Sequence, residues 1–176
     1  MKTIVVYRSK TGFAKQYAEW IAEELKADIF ESSGVTVHKL EAYDKIVYGG
    51  GLYAVGINGV KLITGNLERL KGKRIAVFAT GATPPRKEDI DKVRDMNFTA
   101  EQQKQIGFFY LRGGFDYSKL NFADKLLMNM LKLKIKAKKK KTKLEPDEIG
   151  MLAAYDRSVD FTGKKSTEEL LAYINS

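Results

Sequence analysis

The chain has 176 residues, 44% of them hydrophobic, and no long polar or repetitive tract, which suits one soluble globular domain with a real core. It has no cysteine, which excludes disulfides, a thiolate nucleophile and cysteine-ligated metals, so any redox chemistry must reside in a bound cofactor. The net charge of +9 is a local feature: residues 132–143 hold eight lysines and no acid, leaving 23 basic against 22 acidic residues elsewhere.

Residues 4–7, Ile-Val-Val-Tyr, form a short apolar run of the kind buried on both faces in a parallel sheet. Met1-Lys2-Thr3 leads straight into it, which argues against a signal peptide and for a cytoplasmic location. A polar turn, Arg8-Ser9-Lys10-Thr11-Gly12, follows. Beyond it Ala14, Tyr17, Ala18, Ile21, Ala22 and Leu25 recur three and four apart, as on a helix with one face on a sheet. Such a turn aims free N–H groups and the positive helix end beyond the strand, and Ser9, Thr11, Gly12, Arg8 and Lys10 suit a terminal phosphate. A plain capping turn fits the same residues about as well. The spacing is neither that of a P-loop nor that of a three-glycine dinucleotide turn.

Residues 28–31 and 35–37 are expected as strand at a sheet edge, broken by Ser32-Ser33-Gly34. The single His38 sits near a strand end, where a surface or packing role outweighs catalysis, and a histidine metal site is nearly excluded. Residues 45–48 are a second buried strand ended by Gly49-Gly50-Gly51, and a helix is expected from about 58 to 70. Gly49-x-Gly51-x-x-Ala54 matches a dinucleotide fingerprint by chance, since Glu68 falls inside that helix. Residues 74–79 form the third strand, ending in Thr80-Gly81-Ala82-Thr83. Residues 88–94 are helical up to an interruption at Asn97, and Thr99 caps a further turn with Gln102. Residues 106–111 are the fourth buried strand, ended by Arg112-Gly113-Gly114.

Strands alternating with helices at this spacing imply a parallel sheet covered on both faces, with loops converging beyond the carboxyl ends. From 118 to about 135 runs a helix apolar on much of its circumference, as if buried or meeting a partner or membrane. The lysine run continues it as far as Pro146. A last helix, capped by Ser166 or Thr167, carries Leu170, Leu171 and Ile174.

Assembled, the pattern resembles the flavodoxin-like FMN-binding proteins over nearly the whole chain. The resemblance implies an α/β fold, a three-layer, doubly wound, five-stranded parallel sheet of order 2-1-3-4-5. It also implies one domain over 1–176 with a basic helical insertion at about 118–145. Ser9-Lys10-Thr11-Gly12-Phe13-Ala14 is similar to the family's phosphate loop, with Ala14 in place of its last hydroxyl. Gly50, Gly51, Leu52 and Tyr53, with Thr80, Gly81, Ala82 and Thr83, stand where the family flanks the flavin ring. The glycines leave space for the flavin's edge and let a peptide rearrange on reduction. Tyr43-Asp44-x4-Gly-Gly, and residues 113–120 with Gly114, Phe115, Asp116 and Tyr117, followed by Asp124-Lys125, resemble the protoporphyrinogen-dehydrogenase-like branch. Members of that branch pass electrons from protoporphyrinogen to a quinone at a membrane. The branch's C-terminal aspartate–arginine element is only loosely echoed by Asp156-Arg157.

Tyr53, Phe115 and Tyr117 are candidates to stack on the ring. No convincing protein acid or base emerges: Asp116 suits a turn, and Asp124 suits a helix face toward water. The expected activity is flavin-based oxidoreduction on a quinone or porphyrin-type substrate. Familiar flavodoxin carriers are acidic and this chain is basic, which favours an enzyme over a mobile carrier between redox proteins. A binding module without flavin is the rival of another class. The lysine run reads as a solvated tail, as a peripheral contact with an anionic membrane through the segment from Lys132 to Lys143, or as a nucleic-acid contact. The membrane reading leads because an apolar helix precedes it, and nucleic acid comes last for want of interleaved aromatics.

Overall fold

The computed structural model describes residues 1–139, 143, 144, 146–155 and 157–176. Its centre is β1 (Thr3–Arg8), whose alternate side chains enter two different cores. Ile4 and Val6 join one apolar cluster and Val5 the other, all fully buried. The same alternation runs through β3 (Lys45–Tyr53) and β5 (Arg74–Gly81). Ile46, Tyr48, Ile75, Val77 and Ala79 face one side; Val47, Ala76 and Phe78 face the other. A strand buried on both faces has no room for polar residues, which is why these read as continuous apolar runs.

With β2 (Asp28–Glu31) and β6 (Ile106–Arg112) these strands form a five-stranded parallel sheet in the order β2-β1-β3-β5-β6. β4 (Gly56–Ile57) turns back antiparallel on the end of β3. With that arm set aside the order is 2-1-3-4-5, the expected doubly wound topology. One face is covered by α1 (Phe13–Leu25) and α8 (Glu168–Asn175) through Ala14, Tyr17, Ala18, Ile21, Leu170 and Ile174. The other is covered by the segment around α3 (Lys61–Thr64) and by α4 (Lys87–Asn97), through Val60, Ile63, Leu67, Leu70, Val93 and Phe98. β7 (Gly114–Phe115) and β8 (Val159–Asp160) form a separate antiparallel ribbon that ties the C-terminal segment to the end of β6. From it emerge α6 (Phe122–Lys139) and α7 (Pro146–Ala154).

Several expectations needed correction. Val35 is buried but lies in a turn, and Val37 opens α2 (Val37–Glu41) instead of extending a strand, because its neighbour Leu40 is drawn into the core. The expected helix over 58–70 shrinks to the four residues of α3 followed by successive turns, although its apolar stripe still packs inward. Thr167 does not cap α8 with its side chain: it is buried, and its hydroxyl donates back to the Lys164 carbonyl at 2.7 Å. Thr99 and Gln102 do form the reciprocal capping box, on α5 (Ala100–Gln103). His38 is exposed on α2 with its Nδ1 3.0 Å from Glu41, and no metal-ligating cluster occurs among the described residues.

β3 does not end at Gly49-Gly50-Gly51 as expected but runs through them to Tyr53, and two of these glycines have a packing cause. A Cβ on Gly49 would sit inside the Phe78 ring, and one on Gly50 would lie 2.7 Å from the Asn58 carbonyl oxygen. These two residues therefore let neighbouring layers close up, whereas a Cβ on Gly51 would meet only Thr80 Oγ1, at 3.8 Å. Gly49→Ala should cost about 1–3 kcal/mol by forcing Phe78 out of place, read as a lower urea midpoint. An unchanged midpoint would contradict that packing.

Burial pushes the Tyr48 and Tyr110 hydroxyls up to about 12, against an ordinary value of about 10. The folded state therefore holds protons that the unfolded chain has lost. This contribution is intact below pH of about 10 and disappears as pH rises toward 12. Alkaline titration followed by tyrosinate absorbance should show these two ionising near pH 12, together with loss of structure. Tyr48→Phe should flatten the decline in stability over that range.

Candidate functional site

The turn after β1 sits at the carboxyl ends of the central strands because the register pairs Arg8 with Gly50 and Gly51 with Thr80, and brings Gly81 beside Arg112. Gly12 adopts φ +98°, a conformation that favours glycine, and its N–H donates to Ser9 Oγ at 3.0 Å. No side chain caps α1, and no acid lies in its first turn. The first intrahelical bond, Gln16 N–H to the Gly12 carbonyl, is 2.9 Å. The N–H groups of Phe13, Ala14 and Lys15 thus precede the helical ladder and point, with the helix dipole, past the turn. Of the two readings of this turn, the capping role is filled by no side chain.

Lys10 plays a different part from the one its charge suggests. Its Nζ lies 3.0 Å from Asp124 Oδ2 on the first turn of α6 and 4.8 Å from the Tyr53 ring centroid. Asp124 does not face water: it is 8% exposed, and its backbone N–H is capped by Asn121 Oδ1 at 2.8 Å. The ammonium of Lys10 is therefore neutralised by a carboxylate. The donors of this turn that remain are the backbone N–H groups at the start of α1 and the hydroxyls of Ser9 and Thr11.

Phe13 and Ala14 belong to the interior. Ala14 is 1% exposed in the cluster with Val5 and Tyr17, so only its N–H is available. Phe13 packs against Gly113 and Gly114, where added Cβ atoms would meet its side chain. Leu52 is half-buried and Tyr53 is 49% exposed at the tip of the β3–β4 hairpin, with Ala54 left-handed at φ 53°. Thr80 is buried. The 80–83 loop is held by Tyr110 Oη to the Thr83 carbonyl at 2.8 Å, Arg112 Nε to the Ala82 carbonyl at 3.1 Å and Gly113 N–H to the Gly81 carbonyl at 2.8 Å.

The three aromatic candidates separate. Tyr53 stands on the rim beside Lys10, whereas Phe115 and Tyr117 pack on Tyr155, with ring centroids 6.1 and 5.4 Å apart. Tyr117 also donates to Asn129 Oδ1 at 3.0 Å, and the Tyr155 hydroxyl donates to the Met128 carbonyl. This cluster seats α6 on the domain. Asp116 shapes the turn as expected, accepting from Ser118 N–H at 3.0 Å and Ser118 Oγ at 2.5 Å. Those hydrogen bonds, with Lys119 nearby, hold its carboxyl below the usual range. Asp156, Lys140 and Lys141 lie outside the described residues.

Asn97 is a supporting residue that the sequence did not reveal. From the last turn of α4 its Nδ2 donates to the carbonyls of Val55 and Val93, each at 2.7 Å, and its Oδ1 accepts from Ile57 N–H at 2.9 Å. It clamps the hairpin that presents Tyr53. Its only sequence signal was the end of a helical pattern.

A family model described as a flavodoxin domain matches residues 4–143, well over half of the chain. The chain belongs to the flavodoxin domain family, whose members typically bind FMN and transfer electrons. Among solved structures it is similar to the two-electron reduced flavodoxin of Megasphaera elsdenii, with 18% identity, 61% of this chain and 84% of that one covered, and a TM-score of 0.46. It is also similar to a WrbA-like flavodoxin from Agrobacterium tumefaciens, with 22% identity, 59% and 68% coverage and a TM-score of 0.43. A third is a flavoprotein from Lactobacillus acidophilus solved in complex with FMN, with 21% identity, 63% and 91% coverage and a TM-score of 0.40. A search of curated proteins finds no match.

Asn97→Leu should leave the Ile57 N–H and Val55 C=O without their Asn97 partner, the first of them at a buried residue, costing about 1–3 kcal/mol. Hydrogen exchange of the Ile57 amide should accelerate together with that loss. Unchanged Ile57 protection would show that the hairpin does not depend on Asn97.

Proposed function

We propose that this chain binds FMN noncovalently and works as an FMN-dependent oxidoreductase. The observation that carries the reading is the N-terminus of α1: free of any side-chain cap, opened by Gly12 and flanked by Ser9 and Thr11 at the end of the central strand. A phosphate monoester is the ligand group this donor set suits. Bound FMN would supply reversible uptake of electrons and hydride at its ring, chemistry that no side chain here offers. The chain's own task is to bind and orient it. The N–H groups of residues 13–15 and the hydroxyls of Ser9 and Thr11 are assigned to the phosphate. Gly51, Leu52 and Tyr53 on one side, and Thr80, Gly81, Ala82 and Thr83 on the other, are assigned to the ring. Tyr53 is the residue that would cover it. Gly50, Gly114, Phe115 and Tyr117 support this site from behind by packing.

The finer proposal is a protoporphyrinogen-dehydrogenase-like enzyme with a quinone acceptor. Two features support it. The first is the basic charge of +9, unlike the acidic carriers of the family. The second is the 113–125 segment, whose Asp116 and Asp124 brace the insertion beside the cofactor turn.

The purified protein should show flavin bands in the visible, or take up added FMN in a saturable titration. Thr11→Val should weaken that uptake by about tenfold, the effect of one lost hydroxyl contact, at unchanged thermal stability. A colourless protein that refuses FMN would overturn the reading. Anaerobically reduced protein should be reoxidised by a water-soluble quinone. If FMN binds and the quinone does nothing, the finer proposal falls and the coarser one stands.

A further inference from the structure

α6 carries its apolar residues on the wrong side for a helix that merely packs on a domain. Successive residues are about 100° apart around the axis, so Asp124, Met128, Leu131 and Ile135 form one stripe. That stripe faces the protein: Asp124 and Ile135 are buried, and Met128 and Leu131 half-buried. On the opposite side lie Phe122, Leu126, Met130 and Leu133, exposed by 84, 55, 61 and 69%. Large apolar side chains this exposed, and contiguous along one helix, mark a surface meant to be covered.

What borders the stripe identifies the cover. Lys125, Lys132 and Lys136 run along one edge and Lys134 and Lys138 along the other; Lys132 lies over the Tyr155 ring and Lys138 pairs with Glu148 of α7 at 2.8 Å, while Lys134 and Lys136 are exposed. After Asp124, which is turned inward onto Lys10, no acid occurs on α6. An apolar stripe between two rows of lysine is the pattern of a helix lying in the plane of a bilayer, apolar side chains among the acyl chains and ammonium groups at the anionic headgroups. No helix among the described residues is long and apolar enough to cross a membrane, so the helix would lie on it instead. A second copy is a poor cover, because antiparallel or parallel pairing of two such stripes brings lysine rows against lysine rows.

We propose that α6 is a preformed docking helix for an anionic lipid surface. The helix is already held before any lipid arrives. Asp124 is anchored on Lys10 at 3.0 Å, Tyr117 bonds Asn129 at 3.0 Å, and Lys132 lies 4.6 Å over the Tyr155 ring. Docking therefore requires no folding, and the Lys10–Asp124 contact fixes the β1–α1 turn close to the lipid. The proposal extends beyond the flavin reading and does not rest on it.

The test is sedimentation of the full chain with vesicles of phosphatidylcholine, with and without phosphatidylglycerol. The protein should pellet with the anionic vesicles at low salt and be released as salt is raised. Met130→Ser combined with Leu133→Ser should lower partitioning by about tenfold or more, and Lys134→Gln with Lys136→Gln should also lower it. Both pairs are exposed, and circular dichroism should confirm an unchanged fold. Leu126→Trp gives an independent readout: its emission should shift to the blue on adding anionic vesicles, relative to the signal of Trp20 in the unaltered chain. Absence of pelleting with anionic vesicles would overturn the proposal. So would equal binding of the Met130/Leu133 variant, an unshifted Leu126→Trp emission, or a dimer in light scattering that the same variant disperses.

Discussion

The placement of β1 between β2 and β3 is the constraint on which the rest depends. Because β1 is buried on both faces, it can be followed only by a chain that leaves the sheet at its carboxyl end and returns over one face. The chain leaves through Gly12, and α1 begins there with its N–H groups directed past the strand ends. β3 and β5, locked in register beside β1, bring Gly51 and Thr80 to the same level. Crossovers run to opposite faces on the two sides of β1, the arrangement in which doubly wound sheets offer a crevice beyond their strand ends. That order of strands brings the 8–12 turn, Gly51 and Thr80 together, the residues to which the proposed phosphate and ring contacts are assigned.

The parts of this arrangement made by local chemistry were legible in the sequence. The buried strands appear as apolar runs, α1 as a stripe at helical spacing, and the Thr99–Gln102 capping box as two residues three apart. The turn at residues 8–12 could be recognised as an anion site or a cap, and only the structure shows that no side chain caps α1. What could not be read depends on partners distant in sequence. Lys10 and Asp124 are 114 residues apart, and Asn97 clamps a hairpin some forty residues away. Nothing local distinguishes Lys10 as a phosphate ligand from Lys10 as the anchor of an insertion. The glycines within β3 show the same limit: a ligand and the Phe78 ring both demand a missing Cβ, and only the packing reveals which one claims Gly49.

Helix α6 was legible in composition and not in orientation. A helix apolar on most of its circumference has several possible inner faces, and choosing among them requires the surface it packs on. Here Tyr155, Tyr117 and Lys10 select the face bearing Asp124 and Ile135, which leaves the Phe122–Leu133 side outward. Lysines that looked like a tail of plain charge become the borders of a stripe. The turn after β1 and this helix meet at one ion pair, so a segment 114 residues away braces the centre of the sheet.

The measurement that bears most directly on the cofactor turn is the change in backbone amide resonances when FMN is added to isotope-labelled protein. The expected result is that the largest shifts fall on residues 10–15, with smaller ones at Gly51 to Tyr53 and at Thr80 and Gly81. Shifts confined to other surfaces, or an unmoved α1 N-terminus in the presence of bound FMN, would contradict the assignment of that turn to the phosphate.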